Sequence, residues 1–264
     1  MTNQIRRFLA ANAIITLWLA LTTNIWKIFG AFKHQELADA ASSRLPIGAF
    51  EAILLLVVAS SFWGWNDLGL KRPVWANLKL LWLPCLNIAA IVAIGMLGKH
   101  NFTRSGLLYA MLNALVIGFS EELAFRGVLW GAARKLMPFQ TAFAFVTGCF
   151  GIVHMTNALV TGNAAAAIIQ VIAALMSGTC DLALRIRLRS IYPGVALHVA
   201  WDLAIFSLAG SAGGASQTGP SFMSAFLFSV LLVLPSFLYG LWLVRSPNVR
   251  GLWQYDLGHS NITP

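Results

Sequence analysis

Charge is scarce in this sequence: Asp, Glu, Lys and Arg together make up 10% of 264 residues, where soluble domains carry about a quarter. That scarcity excludes a globule packed in water. Cysteine is nearly absent too. Cys85, Cys149 and Cys180 are an odd set with no Cys-x-x-Cys spacing, which excludes a disulfide framework or a thiolate metal site. All three fall in apolar runs and are expected as small buried residues. There is no internal repeat, which speaks against repeat-built transporters, and no His-Glu-x-x-His helix. Loop-like low complexity is confined to 210–221, rich in Gly, Ser and Ala, expected as a flexible outer connection. The length fits one helical bundle and leaves little room for a soluble domain.

What fills the chain instead is apolar sequence: 58% of residues are hydrophobic and the mean hydropathy is +0.74. Runs of about 18 or more apolar residues read as membrane helices. Eight such runs are visible, near 8–29, 47–65, 78–97, 106–132, 137–160, 164–186, 191–209 and 221–244. The expected fold is therefore an all-α, polytopic membrane bundle of about eight transmembrane helices. The first run follows Arg6 and Arg7 as a signal peptide would, but it is long and has no convincing cleavage site before Trp26, so we read it as an anchor. Trp63, Trp65, Trp75, Trp130 and Tyr192 lie near run ends, as interfacial aromatics do.

The net charge is +9. In a soluble protein this would suggest nucleic acid, but here the basic residues sit between apolar runs. Arg6, Arg7, Lys71, Arg72, Lys79, Arg134, Lys135, Arg185, Arg187, Arg189, Arg245 and Arg250 fall on one side; Lys27, Lys33, Arg44, Lys99 and Arg104 fall on the other. The bias predicts both termini in the cytoplasm and an even number of spans.

Ionisable groups at membrane depth are costly, about 2.5–3.5 kcal/mol each even on lenient scales. The fourth run nevertheless holds Glu121, Glu122 and Arg126. Glu122 and Arg126 share a helix face and can pair, while Glu121 points about 100° away with no local partner. The fifth run holds Phe150 and His154, the seventh His198 and Asp202, each pair again four apart. Folding runs four and five as an antiparallel hairpin about Leu136 brings Glu121 and His154 to similar depth. His198 follows the basic segment 185–189 by a few turns, which hints at a site nearer the cytoplasmic side. A carboxylate and an imidazole sharing a water can activate it for attack on a carbonyl, and a second histidine can donate to the oxyanion. Ser120 faces another direction and is not favoured as a nucleophile. Asp181 and Arg185, four apart near the inner end of the sixth run, read as a local ion pair. His34 and Glu51 read as interfacial, and Pro84 as a kink.

Glu121-Glu122-x-x-x-Arg126, Phe150-x-x-x-His154 and His198-x-x-x-Asp202 resemble, in order, the three motifs of the CAAX protease and bacteriocin-processing (CPBP or Abi) family, which includes the type II CAAX prenyl endopeptidases. Segment 67–73, Asp-Leu-Gly-Leu-Lys-Arg-Pro, is similar to a short stretch that many bacterial members carry before the core. The resemblance implies an intramembrane endopeptidase of the glutamate type. On that analogy Glu121 activates water shared with His154, and Glu122 and Arg126 hold the helix and the charge balance. Phe150 packs the site, while His198 and residue 202 form the oxyanion hole. The prenyl proteases place Asn where this chain has Asp202, and an ionised Asp cannot donate.

A zinc ion held by Glu121, His154 and His198 is a competing reading, but none of its usual sequence spacings is present, and no cofactor is expected. The expected organisation is 1–104 as N-terminal helices, 105–207 as the core and 208–264 as outer loop, last helix and cytoplasmic tail. The expected partners are a peptide or protein substrate at the membrane and the lipid bilayer, not nucleic acid. The resemblance also admits a non-catalytic protein of the same fold, a bacteriocin self-immunity factor or a scaffold. Short loops and a compact chain point to a bacterial or archaeal plasma membrane, where prenylated CAAX substrates are not expected.

Overall fold

The computed structural model describes residues 2–23, 34–96, 103–212 and 221–255. Trp26, Lys27, Lys33, Lys99 and most of the expected outer connection at 210–221 lie outside the described residues. Among those described, all regular structure is helical.

Helix α1 (Asn3–Thr22) starts at a Thr2 cap whose side chain accepts from the Ile5 amide. Short α2 (Leu37–Ser43) turns by 84° into α3 (Ile47–Phe62), with Pro46 at the N-cap of α3. A 3-10 stretch, Trp75–Leu81, leads into α4 (Trp82–Met96). Helix α5 (Arg104–Glu122) passes through a π-helical segment, Leu123–Leu129, into α6 (Trp130–Leu136) without a break. Helix α7 (Phe139–Val153) ends in a 3-10 turn, His154–Thr156, and short α8 (Asn157–Thr161). Then follow α9 (Ala164–Leu188), α10 (Tyr192–Ala212), α11 (Phe222–Leu243) and α12 (Pro247–Tyr255).

Each of the eight expected runs is largely helical over its described residues. Among the described residues, six segments are long and apolar enough to cross a bilayer: Asn3–Thr22, Trp75–Met96, Arg104–Leu136, Phe139–Thr161, Ala164–Leu188 and Phe222–Leu243. The α2–α3 pair passes only as a broken span, and the apolar part of α10, Tyr192–Leu208, is shorter. The chain is a multi-pass membrane protein. Large apolar side chains such as Leu54, Phe62, Leu86 and Leu231 lie exposed, which lipid tolerates and water does not. The interior is packed by Leu123, Phe125, Trp130, Leu182 and Leu184. Helix α9 lies between α7 and α11, and at Gly240 a Cβ would come within 2.7 Å of the Cys180 Cα. Such close approach of small residues is how membrane helices gain packing without a hydrophobic drive between them.

The basic segments gather at one end of the bundle. Asp67, in the loop after α3, takes a hydrogen bond from Arg7 and one at 2.9 Å from Arg134, and Lys135 stands 3.1 Å away. Arg185 donates to the Asp67 carbonyl at 3.4 Å. Gly69 adopts φ +80°, and any side chain there would run into the Arg185 guanidinium. The Gly69 carbonyl accepts from the Ile191 amide at 3.0 Å, and the Val74 amide donates to Leu188 at 3.0 Å. Burial alone would raise the Asp67 pKa, but the hydrogen bonds and charges of Arg7 and Arg134 outweigh it and hold the carboxyl well below the usual range. Segment 67–73 is thus a strap tying α1, α6 and α9 together.

Trp65 and Trp130 are buried in the bundle, while Trp63, Trp75 and Tyr192 are exposed. Trp130 packs its edge against Phe139 across the tight turn between α6 and α7. Cys85 is exposed, Cys149 half-buried and Cys180 buried, because Cys85 falls on the lipid-facing side of α4. Pro84 sits just after the point where the 3-10 stretch passes into α4.

Candidate active site

Position 122 ends α5 and Arg126 lies in the π segment that follows. The four-residue spacing still pairs them, with Arg126 Nη1 3.1 Å from Glu122 Oε1 and both side chains 1% exposed. π segments inside α-helices are rare and frequently mark functional sites. The guanidinium lies flat over the Phe150 ring, 3.9 Å from its centroid. On its far side Arg126 Nη2 donates to Asp181 Oδ2 at 3.4 Å. Asp181 therefore does not form the local pair expected with Arg185. It faces Arg126 across the bundle, and Arg185, one turn further on, reaches the strap. Small residues make room: a Cβ at Gly178 would meet the Phe150 ring at 2.6 Å and Arg126 at 3.1 Å, and one at Gly194 would meet Glu122 Oε2 at 2.7 Å.

His198 on α10 sits between the paired glutamates. Its Nδ1 donates to Glu122 Oε1 at 3.3 Å, and its Nε2 lies 3.6 Å from Glu121 Oε2 and 3.9 Å from Asp202 Oδ2. The 100° offset between consecutive helical positions is what lets neighbouring carboxylates bracket one ring. Buried oxygens of Glu121 and Glu122, Oε2 in each, make no hydrogen bond, a costly state in a protein interior.

His154 opens the 3-10 turn where α7 stops. Its Nδ1 lies 2.8 Å from the Phe150 carbonyl. A carbonyl only accepts, so Nδ1 carries the proton and Nε2 of the neutral ring is left as acceptor. The His154 and His198 rings both stand edge-on to Phe150, at 5.1 and 6.2 Å between centroids.

Glu121, Phe150, His154, Asp181, His198 and Asp202 line one cavity of about 610 Å³. Glu122 and Arg126 stand behind this wall, fully buried. Ser120 also borders the cavity, but its hydroxyl accepts the Trp18 indole N–H at 2.8 Å, a bond that ties α1 to α5. Two features were missed from sequence. One is Asp181, whose four-residue spacing to Arg185 suggested a simpler partner. The other is an amide pair, Asn157 and Gln170, hydrogen-bonded at 2.8 Å and lining the same cavity.

Among the described residues, no three His, Cys, Asp or Glu side chains gather in a set that could hold a metal ion. Glu121, His154 and His198 do not form such a set as they stand. Residues 103–204 match the family model described as type II CAAX prenyl endopeptidase Rce1-like. No curated protein and no solved structure matches the chain.

Proposed function

We propose that this chain, whose residues 103–204 match the family model described as type II CAAX prenyl endopeptidase Rce1-like, is an intramembrane endopeptidase of the glutamate type. The observation that carries the reading is the convergence of Glu121, His154, His198 and Asp202, from three separate helical segments, on one cavity inside an otherwise apolar bundle. The substrate is a membrane-associated peptide or protein.

The chemistry follows from hydrogen-bonding capacity. Glu121, with an unsatisfied oxygen, takes a proton from a water that His154 Nε2 orients by accepting its other O–H. The hydroxide oxygen bonds to the scissile carbonyl carbon, and the carbonyl electron pair moves onto its oxygen. His198 Nδ1–H is held by Glu122 Oε1, and Nε2, when it carries a proton, points that N–H into the cavity as the donor to the oxyanion. On collapse the C–N bond breaks, and the proton held by Glu121 passes to the departing amine. Phe150 and the Glu122–Arg126–Asp181 row hold His198 and the helix in place. Asp202, one turn from His198, restrains its ring rather than donating. None of these steps requires a metal, and a zinc chelator is expected to leave the rate unchanged. The basic end of the bundle faces the cytoplasm of a bacterial or archaeal plasma membrane, by the excess of Lys and Arg in those segments.

The test compares wild-type protein in nanodiscs with Glu121→Gln and His154→Ala, using palmitoylated, fluorescence-quenched peptides. Loss of a general base typically costs about 10²–10⁴-fold, and losses in that range are expected with membrane insertion unchanged. If the wild type cleaves nothing and cellular phenotypes survive both substitutions, the protein is a non-catalytic immunity factor or scaffold.

A further inference from the structure

Helix α9 turns one face to the cavity, through Gln170, Ala173, Ala174, Ser177 and Asp181. These positions repeat every three or four residues, as one helix face does. The middle of the face is small, so the cavity there is a groove with a polar side chain at each end. Gln170 and Asp181 are eleven residues apart, about 16 Å along the helix axis. An extended peptide covers that distance in about five residues. Trp201, Ile205 and Phe206 of α10 add apolar surface to the same cavity.

At the far end of this groove from Asp181, Asn157 Nδ2 donates to Gln170 Oε1 at 2.8 Å. Both residues are half-buried. The bond consumes one donor and one acceptor. It leaves Asn157 Oδ1 as an acceptor and Gln170 Nε2 as a donor, with no partner among the described residues. Exchanging O and N in both amides leaves the same complement, one of each. Three other polar side chains on the cavity wall are spent locally. The Thr156 hydroxyl donates to the Val153 carbonyl at 2.7 Å, Ser177 donates to Ala174 at 3.3 Å, and the Asn113 amide donates to the carbonyls of Ala41, Arg44 and Tyr109.

A neighbouring donor and acceptor match the N–H and C=O of a peptide backbone. A peptide drawn into a membrane cavity gives up water at each amide, which costs several kcal/mol per unsatisfied group. We propose that the Asn157–Gln170 pair is a backbone clamp that reads one peptide group of an extended, apolar segment close to the bond under attack, since Asn157 follows the water-orienting His154 by three residues on one helical turn. The clamp rests on the endopeptidase reading for the meaning of its ligand, and makes recognition at that position depend on backbone rather than side chain.

The test uses the full chain carrying Glu121→Gln, so that the probe is not consumed, in nanodiscs. The probe is a dansyl-labelled, palmitoylated hexapeptide of Ala, Leu and Val, with analogues N-methylated at one backbone position each. The parent peptide is expected to bind saturably, and N-methylation at one position to weaken it about tenfold, the value of one hydrogen bond. In Asn157→Leu/Gln170→Met, which removes both bonds of the clamp, the parent weakens by at least that factor, and that N-methyl group makes no further difference. Replacing both partners with apolar groups leaves no orphaned amide, so folding is expected to hold. Gln170→Glu is the second variant: it keeps the acceptor for Asn157 but removes the free donor, and is expected to weaken the parent peptide. No saturable binding, or N-methyl effects that are equal with and without the pair, overturns the clamp and leaves a staple between α8 and α9. Cleavage of the same hexapeptide by the Glu121 protein is read separately. Coupled binding without cleavage overturns the endopeptidase reading alone.

Discussion

Two clusters of charge lie in this bundle, with opposite balances. At the basic end one carboxylate among the described residues, Asp67, faces Arg7, Arg134 and Lys135. In the cavity four carboxylates, Glu121, Glu122, Asp181 and Asp202, stand around Arg126 and His198. Both oxygens of Asp67 are engaged, and the strap it belongs to is closed by further backbone bonds. In the cavity, Glu121 and Glu122 each keep a buried oxygen without a hydrogen bond. A cluster rich in cations around one anion is a tie. A cluster rich in anions beside an open cavity gives up stability, and natural proteins accept that at sites where chemistry needs it.

The sharpest way to break this comparison is to remove the tie. Asp67→Ala removes the carboxylate that Arg7 and Arg134 share, and breaking a buried pair typically costs about 3–5 kcal/mol. Denaturation in mixed micelles is expected to show that loss, while the cleavage rate per folded molecule stays at the wild-type value. If the rate falls and stability does not, the roles of the two clusters are reversed. Acid acts in the same direction. The Asp67 pKa is lower in the folded than in the unfolded protein, so the stability it contributes is complete above about pH 4. It is lost as pH falls below that, and Asp67→Ala is expected to remove this part of the acid sensitivity.

A smaller effect is expected at Asp181, which connects the cavity wall to the Arg126 row. Asp181→Asn keeps an acceptor for Arg126 and removes the charge. Cleavage is expected to slow about tenfold, the scale of one charge-assisted hydrogen bond, with KM little changed. An unaltered rate would place Asp181 with the structural ties.

The spacing of Asp181 also shows where sequence reading stops. Pairs four apart on one helix were legible, and Glu122–Arg126 forms as that spacing predicts. The same rule applied to Asp181 and Arg185 failed, because i,i+4 geometry permits a pair without requiring it, and Arg126 from another helix competes. The helical bundle and its eight apolar runs were legible from hydropathy alone. The π segment at Leu123–Leu129 was not, since one extra residue per turn leaves no mark on an apolar run. The Asp67 tie joins residues 60 and 67 positions apart, and the Asn157–Gln170 pair spans a helix break. Neither has a local spacing that could announce it.

The smallest effect is expected at Asp202, and it sharpens the comparison most finely. Asp202 Oδ2 lies 3.9 Å from His198 Nε2, too far for a hydrogen bond, so its present hold on the ring is electrostatic and steric. The prenyl proteases that these motifs resemble carry Asn at this position. Asp202→Asn keeps an acceptor oxygen on the same turn of α10, adds an N–H that can reach an oxyanion, and lowers the carboxylate excess by one. The gain and the loss oppose each other, and the cleavage rate is expected to stay within about threefold, below the value of one hydrogen bond. A fall of a hundredfold would mean that the charge of Asp202, and not its shape, holds His198 in its donating form. The anion excess of the cavity would then act on the reaction directly, and the oxyanion donor would depend on both flanking carboxylates, Glu121 and Asp202.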